Sequence, residues 1–90
     1  MAKAIIDPGE VRKFASDLQR FTNVMEEQMN ALNSRHRSLG QTWKDQEHRK
    51  FSEDFEHSMR ALARFREVVN EHIPFLKKKA QRAEDYLNQR

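Results

Sequence analysis

Four histidines, two of them spaced three residues after an aspartate, are the residues whose types and spacing could support metal chemistry. His48 follows Asp45 and His57 follows Asp54, so each pair would share one face of a helix. Di-iron sites in helical bundles need such pairs on two different helices, together with inward-facing glutamates. The first half of the chain offers no matching inward acids, so we expect no metal site and interpret the histidines as surface or hinge residues.

Catalytic chemistry has even less support in the sequence. No nucleophile lies beside a base in a recognisable pattern, and no pair of buried carboxylates stands out. The chain contains only two glycines, which cannot form a phosphate-binding loop. We therefore expect a protein that is not an enzyme, has no catalytic residues and needs no cofactor.

A basic cluster of Lys77, Lys78, Lys79 and Arg82 could contact nucleic acid or an anionic membrane. The three lysines spread around a helical turn, however, and acidic residues follow directly at 84 and 85. The whole chain carries 17 basic and 14 acidic residues, with the two signs interspersed. Such interspersed charge is typical of solvated helix faces. A basic helical protein that binds nucleic acid stays a weaker alternative, which strong salt dependence of binding would reveal.

The elements that must position these residues are helices. The chain has 90 residues, of which 34% are charged, and two glycines and two prolines leave few points for chain reversal. This composition predicts an all-α fold in a single domain over residues 1–90. The chain has no cysteine, so the fold uses no disulfide. The apolar run at residues 4–6 is too short for a signal peptide, and no stretch is long enough to insert into a membrane.

The first helix is predicted over residues 8–39. Asp7 can cap its N-terminus, Pro8 suits the first helical position, and Glu10 stands three residues after the cap. Arg37 and its neighbours place positive charge in the last turn, and Gly40 is predicted to end the helix in a left-handed conformation.

The second helix is predicted over residues 43–87, after a hinge at 40–42. Thr42 is the predicted N-cap, with Asp45 three residues later. Pro74 should kink the helix, but the apolar register continues beyond it. A hinge this short makes the two helices antiparallel neighbours and brings His36 close to His48.

Apolar residues recur at seven-residue spacing on both helices and predict one shared stripe. Its principal members are Val11, Phe14, Leu18, Phe21, Met25, Leu32, Phe55, Leu62, Phe65 and Val69. Two long rods cannot bury six phenylalanines in a single seam. We therefore expect two hairpins to associate into a four-helix bundle, as a homodimer or with a related hairpin protein.

The hinge carries one specific motif. Leu39 and Gly40 are followed by Trp43, and Phe51 comes eight residues after the tryptophan. This pattern resembles the WXG-motif family, the early-secreted-antigen-like proteins of type VII secretion, which have an aromatic residue eight positions after the tryptophan and an apolar residue four before it. Asp45 stands where the family has glycine, which favours a capped helix start over a tight turn.

The resemblance implies a helical hairpin that is a secretion target or export partner, with a type VII-like secretion ATPase as a possible partner. It also implies that Leu39, Gly40, Trp43, Asp45 and Phe51 form a hinge site for partner recognition. The family's export signal, a tyrosine followed four residues later by an acid, is not met, because Arg90 follows Tyr86. A cytosolic dimeric scaffold is therefore the alternative. The compartment stays open between secretion without a cleaved signal peptide and the cytoplasm.

Overall fold

The protein is an antiparallel hairpin of two long α-helices. The computed structural model describes residues 5–89, with helix α1 at Pro8–Leu39 and helix α2 at Gln46–Asn88. The hairpin is antiparallel because the start of α1 contacts the end of α2 through Arg12 and Glu84, whereas His36 near the end of α1 contacts Ser52 near the start of α2. The predicted all-α fold class is confirmed.

Helix α1 has the predicted start but not the predicted end. The Asp7 carboxylate accepts hydrogen bonds from the backbone amides of Gly9, at 2.9 Å, and Glu10, at 3.3 Å. Gly40, however, has φ −63° and ψ −14°, which is right-handed helical geometry. The predicted left-handed cap is wrong, because a further turn of backbone hydrogen bonds satisfies the last carbonyls instead.

That turn lengthens the hinge, so α2 begins later in the sequence than predicted. The backbone amides of Thr42 and Trp43 both donate to the Leu39 carbonyl, at 3.1 and 3.0 Å. The cap of α2 is Asp45, whose carboxylate accepts from the His48 amide at 3.0 Å. The predicted Thr42 cap and the helix start at residue 43 are therefore wrong, and the hinge comprises residues 40–45.

Helix α2 passes through Pro74 and continues to Asn88. Ile73, immediately before the proline, and Ala80, seven residues later, are both buried on the side that faces α1. The helix therefore keeps its register across the missing hydrogen bond, as the apolar pattern predicted.

The seam between the helices consists largely of residues that lie beside the principal members of the predicted stripe. Ala15, Thr22 and Met29 of α1 follow one another at seven-residue spacing and are all buried. The Thr22 hydroxyl donates to the Gln19 carbonyl, so its burial leaves no unpaired polar group. The opposing residues are Met59, Val69, Ile73 and Ala80 of α2. Alanine at positions 15 and 80 allows the two helices to approach closely, and the longer side chains of Met29, Met59 and Ile73 are buried between them elsewhere.

Within one hairpin, the predicted stripe is mostly not core. Of its members only Val69 is buried. Four are half-buried, namely Val11, Leu18, Met25 and Phe55. Five are exposed, namely Phe14, Phe21, Leu32, Leu62 and Phe65. In α1 the stripe lies one residue before the seam at two points, because Phe14 and Phe21 dominate the apolar pattern whereas the buried positions are the neighbouring Ala15 and Thr22.

The hairpin is thin. Its principal extents are 69 × 19 × 13 Å, and the smallest of these is close to the diameter of a single helix. No second layer covers either broad side of the described chain. No helix in the described part is long and apolar enough to cross a membrane.

Candidate interaction site at the hinge and the apolar face

One broad side of the hairpin, which we call the apolar face, carries large exposed hydrophobic side chains from both helices. The Phe21 and Phe65 rings meet edge to face across the seam, with centroids 6.3 Å apart, although each ring is about half exposed. Because these rings touch, the exposed flanks of α1 and α2 lie on the same side of the molecule. The face comprises Phe14, Phe21, Leu32, Leu39, Phe51, Leu62 and Phe65.

A groove of about 280 Å³ indents the apolar face at the hinge end. Its lining is almost wholly apolar, although it includes one guanidinium, and it consists of Leu32, Arg35, His36, Leu39, Phe51 and Phe55. A groove of this kind, open to solvent, can accept an apolar side chain from a partner.

The opposite broad side is polar and holds the hairpin together by charge. Arg12 donates to the Glu84 carboxylate and to the Gln81 side-chain oxygen, and Arg66 lies 3.5 Å from the Glu26 carboxylate. The hydrogen bond from Arg12 lowers the pKa of Glu84 below its ordinary value, and the same bond raises the pKa of Arg12. The two sides thus differ in chemistry, and only one of them is suited to apolar docking.

Five rings gather where the apolar face meets the hinge. Trp43 lies with its ring centroid 4.9 Å from that of His48 and 6.0 Å from that of Phe51. His36 reaches across from α1, stacking on His48 at 5.7 Å and packing on Phe55 at 4.5 Å. We call these five residues the ring cluster. It joins the two helices, and three of its members, His36, Phe51 and Phe55, also line the groove.

A single hydroxyl links the two histidines of the ring cluster. The Ser52 Oγ lies 2.8 Å from the His36 Nε2 and 3.3 Å from the His48 Nε2. A hydroxyl carries one proton, so Ser52 can donate to only one neutral ring and must accept from the other. The predicted closeness of His36 and His48 is confirmed. Sequence reasoning missed Ser52, although its position four residues after His48 was the available signal.

The structure brings most of the predicted hinge residues together. Trp43 is half-buried against Phe51, and its backbone amide is bonded to Leu39. Asp45 contributes its carboxylate to the cap of α2 rather than to the ring cluster, and a Cβ on Gly40 would lie 3.4 Å from the His48 ring. Their role in partner recognition stays a prediction.

The aspartate–histidine pairs do not form a ligand set. Asp54 and His57 are both exposed on α2. Across residues 5–89, no three histidine, cysteine or acidic side chains are placed to hold a metal ion together.

Comparisons with known proteins agree with this architecture. The hairpin is similar to the crystal structure of a mutant form of EsxB, described as a secreted protein, from Bacillus anthracis str. Sterne. The similarity covers 100% of this chain and 99% of that chain, with a TM-score of 0.75 and 23% sequence identity. No curated protein matches the chain. The sequence profile of the WXG100 family, described as proteins of 100 residues with WXG, matches residues 4–86, and the chain therefore belongs to the WXG100 family.

Proposed function

We propose that this protein is a target or export partner of a type VII secretion system, and that it acts by binding other proteins rather than by catalysis. Membership of the WXG100 family and the structural similarity to a secreted protein support the secretion role. The single observation that carries the binding role is the apolar face, because it leaves phenylalanines from both helices exposed.

The expected partner for that face is a second hairpin. Phe14, Phe21 and Phe65 are each about half exposed. Full burial of such a side chain contributes about 1.5–3 kcal/mol, so covering the exposed half of each contributes roughly half of that. Large contiguous apolar patches are uncommon on the surfaces of monomers and mark interaction sites. Two hairpins that pack face to face would form a four-helix bundle and give the molecule the second layer that it lacks.

Sedimentation equilibrium at micromolar concentration tests this association. We expect a species of twice the 10.8 kDa chain mass. Phe21→Glu should reduce the mass to that of one chain, because it places a charge in the middle of the apolar face. Gln19→Glu is the matched control, because Gln19 lines a groove on the polar side. A parent chain that is folded and monomeric would contradict the proposal. A chain that is poorly folded alone would indicate a different hairpin as the partner.

The secretion role needs a separate test. The chain would be produced in a bacterium with a type VII system, and the culture medium compared between the parent strain and a strain without the secretion ATPase. We expect the protein in the medium of the parent strain only. The alternative, a cytosolic scaffold, has one specific observation in its favour, because Arg90 stands where the family's export signal has an acid. Retention of the protein in the cells of both strains would support it.

A further inference from the structure

Two histidine nitrogens from different helices are directed at one point in the ring cluster. The His36 Nε2 of α1 lies 2.8 Å from the Ser52 hydroxyl oxygen, and the His48 Nε2 of α2 lies 3.3 Å from the same oxygen. Neutral imidazole is the commonest metal ligand among protein side chains. Two imidazole nitrogens that meet at a common atom, one from each helix, are therefore placed to hold a metal ion between them.

A metal ion at that point requires only small movements of the side chains. Bonds between zinc and an imidazole nitrogen are about 2.0–2.1 Å long, so each Nε2 atom would lie roughly 1 Å nearer to the ion than it now lies to the Ser52 oxygen. Rotation about one side-chain bond moves the Ser52 hydroxyl aside. Both histidines can therefore reach one ion while the two helices keep their positions.

Aromatic packing already holds the two imidazole rings. The His36 ring packs on Phe55 with centroids 4.5 Å apart, and the His48 ring packs on Trp43 at 4.9 Å. Neighbours that fix the orientation of ligand rings strengthen metal binding. Both histidines are half-buried rather than enclosed, so water can complete the coordination shell of an ion between them.

The ligand atoms decide which class of ion fits. Within residues 5–89, no third histidine, cysteine or acidic side chain joins the pair. Imidazole ligands suit Cu²⁺, Ni²⁺ and Zn²⁺, whereas Mg²⁺ and Ca²⁺ are bound through oxygen ligands. With two protein ligands the site is open, unlike the closed four-ligand sites of structural zinc.

We propose that His36 and His48 together bind one divalent ion of the Cu²⁺, Ni²⁺ and Zn²⁺ class and thereby tie the end of α1 to the start of α2. The ion stabilises the hairpin, because the complete site exists only when both helices are in place. The inference is independent of the secretion role and of association through the apolar face. It replaces the expectation of no metal site, which considered aspartate–histidine pairs within single helices.

The fluorescence of Trp43 gives a local test. Trp43 is the only tryptophan, and its ring lies 4.9 Å from that of His48. Titration with Cu²⁺, which quenches indole emission at short range, should quench Trp43, saturate at one ion per chain and be reversed by EDTA. His36→Gln and His48→Gln should each lose most of the quenching. The control combines His57→Gln with His72→Gln, which removes the other two histidines, both exposed on α2, and should behave like the parent.

Thermal melting gives a second test that does not depend on the indole. Saturating Zn²⁺ should raise the melting temperature of the parent by about 4 °C or more, and Mg²⁺ should leave it unchanged. His36→Phe and His48→Phe keep a ring in the cluster but lack the nitrogen, so each should fold without responding to Zn²⁺. Quenching and a Zn²⁺ shift that persist without either histidine, or that depend on His57 and His72, would show an adventitious ion only and overturn the proposal.

Discussion

Single side chains at the hinge determine how the two helices meet. Ser52 connects His36 and His48, and Trp43 closes the same cluster from the turn. The motif drew attention to the tryptophan, whereas the serine has no signature of its own, because its role depends on which histidine comes across from the other helix. Local spacing could place Ser52 beside His48 but not beside His36.

Ser52→Ala should lower the free energy of unfolding by about 1 kcal/mol, because it removes the hydroxyl that both rings use. Urea unfolding would measure the loss. Ser34→Ala is the matched control, since Ser34 is exposed in the interior of α1 and corrects for the helix propensity of alanine. Equal stability of the two variants would mean that the Ser52 bridge contributes nothing.

Trp43→Ala should cost about 2 kcal/mol, which is less than the ~3–5 kcal/mol typical of fully buried aromatics, because the indole is only half-buried. Thermal melting would report the packing role. Trp43→Phe should recover most of the loss by keeping a ring against His48 and Phe51. If Trp43→Ala melts like the parent and also captures the same proteins from native lysate, neither packing nor recognition depends on the indole.

At the scale of the elements, caps and ion pairs set where the helices begin and how they are held. Residues 8–39 could be predicted because Asp7 and Pro8 give a start signal and the apolar register gives the length. The start of α2 was missed because Thr42 and Asp45 are both good caps, and the choice between them depends on the turn that the Leu39 carbonyl closes.

Gly40→Ala should change the free energy of unfolding by less than about 0.5 kcal/mol. The right-handed backbone at Gly40 accepts a side chain, and the new Cβ would lie 3.4 Å from the Arg37 carbonyl oxygen and from the His48 ring, at the lower edge of ordinary contact. A left-handed cap would instead cost about 1–2 kcal/mol on the same substitution. Chemical denaturation of the variant decides between the two geometries.

Acid should weaken the contact between Arg12 and Glu84, at the end of the hairpin away from the hinge. The pKa of Glu84 is lowered in the folded state by the hydrogen bond from Arg12, so the stabilisation is present above the ordinary glutamate pKa of about 4.3 and is lost as pH falls through the folded value. Glu84→Gln should therefore lose stability at neutral pH and differ little from the parent near pH 2. Unfolding at both pH values would show this, with exposed Glu27→Gln as the control. An equal deficit at both pH values would exclude the ion pair as the cause.

At the scale of the whole molecule, the single hairpin leaves large apolar side chains exposed. The sequence predicted the two helices, their direction and the excess of apolar side chains. It could not show which seven-residue series of side chains lies in the seam. Neighbouring series are all largely apolar, and they differ only in how closely they allow the two helices to approach. The seam takes up Ala15, Ala80 and two methionines, whereas five of the six phenylalanines are exposed.

Leu62→Ala should show whether a partner covers these exposed apolar side chains. Leu62 is 40% exposed within the hairpin, so its truncation should cost about 1 kcal/mol at concentrations where the chain is monomeric and ~2–5 kcal/mol where a partner buries it. Val69→Ala is the control, because Val69 is already buried and its cost should not depend on concentration. Urea unfolding at two protein concentrations gives the comparison. A cost for Leu62→Ala that does not change with concentration would mean that no partner covers it.

The backbone of the hinge has a consequence for how such proteins are found. Asp45 takes the place of the family's glycine with φ −87°, and no residue in the described part has a positive φ. The turn therefore does not require glycine at this position, and the Asp45 carboxylate caps α2 there. A search for the literal letters Trp-x-Gly would pass over this chain. A search for an aromatic residue two positions before a helix cap, at the midpoint of two long apolar registers, would retrieve it.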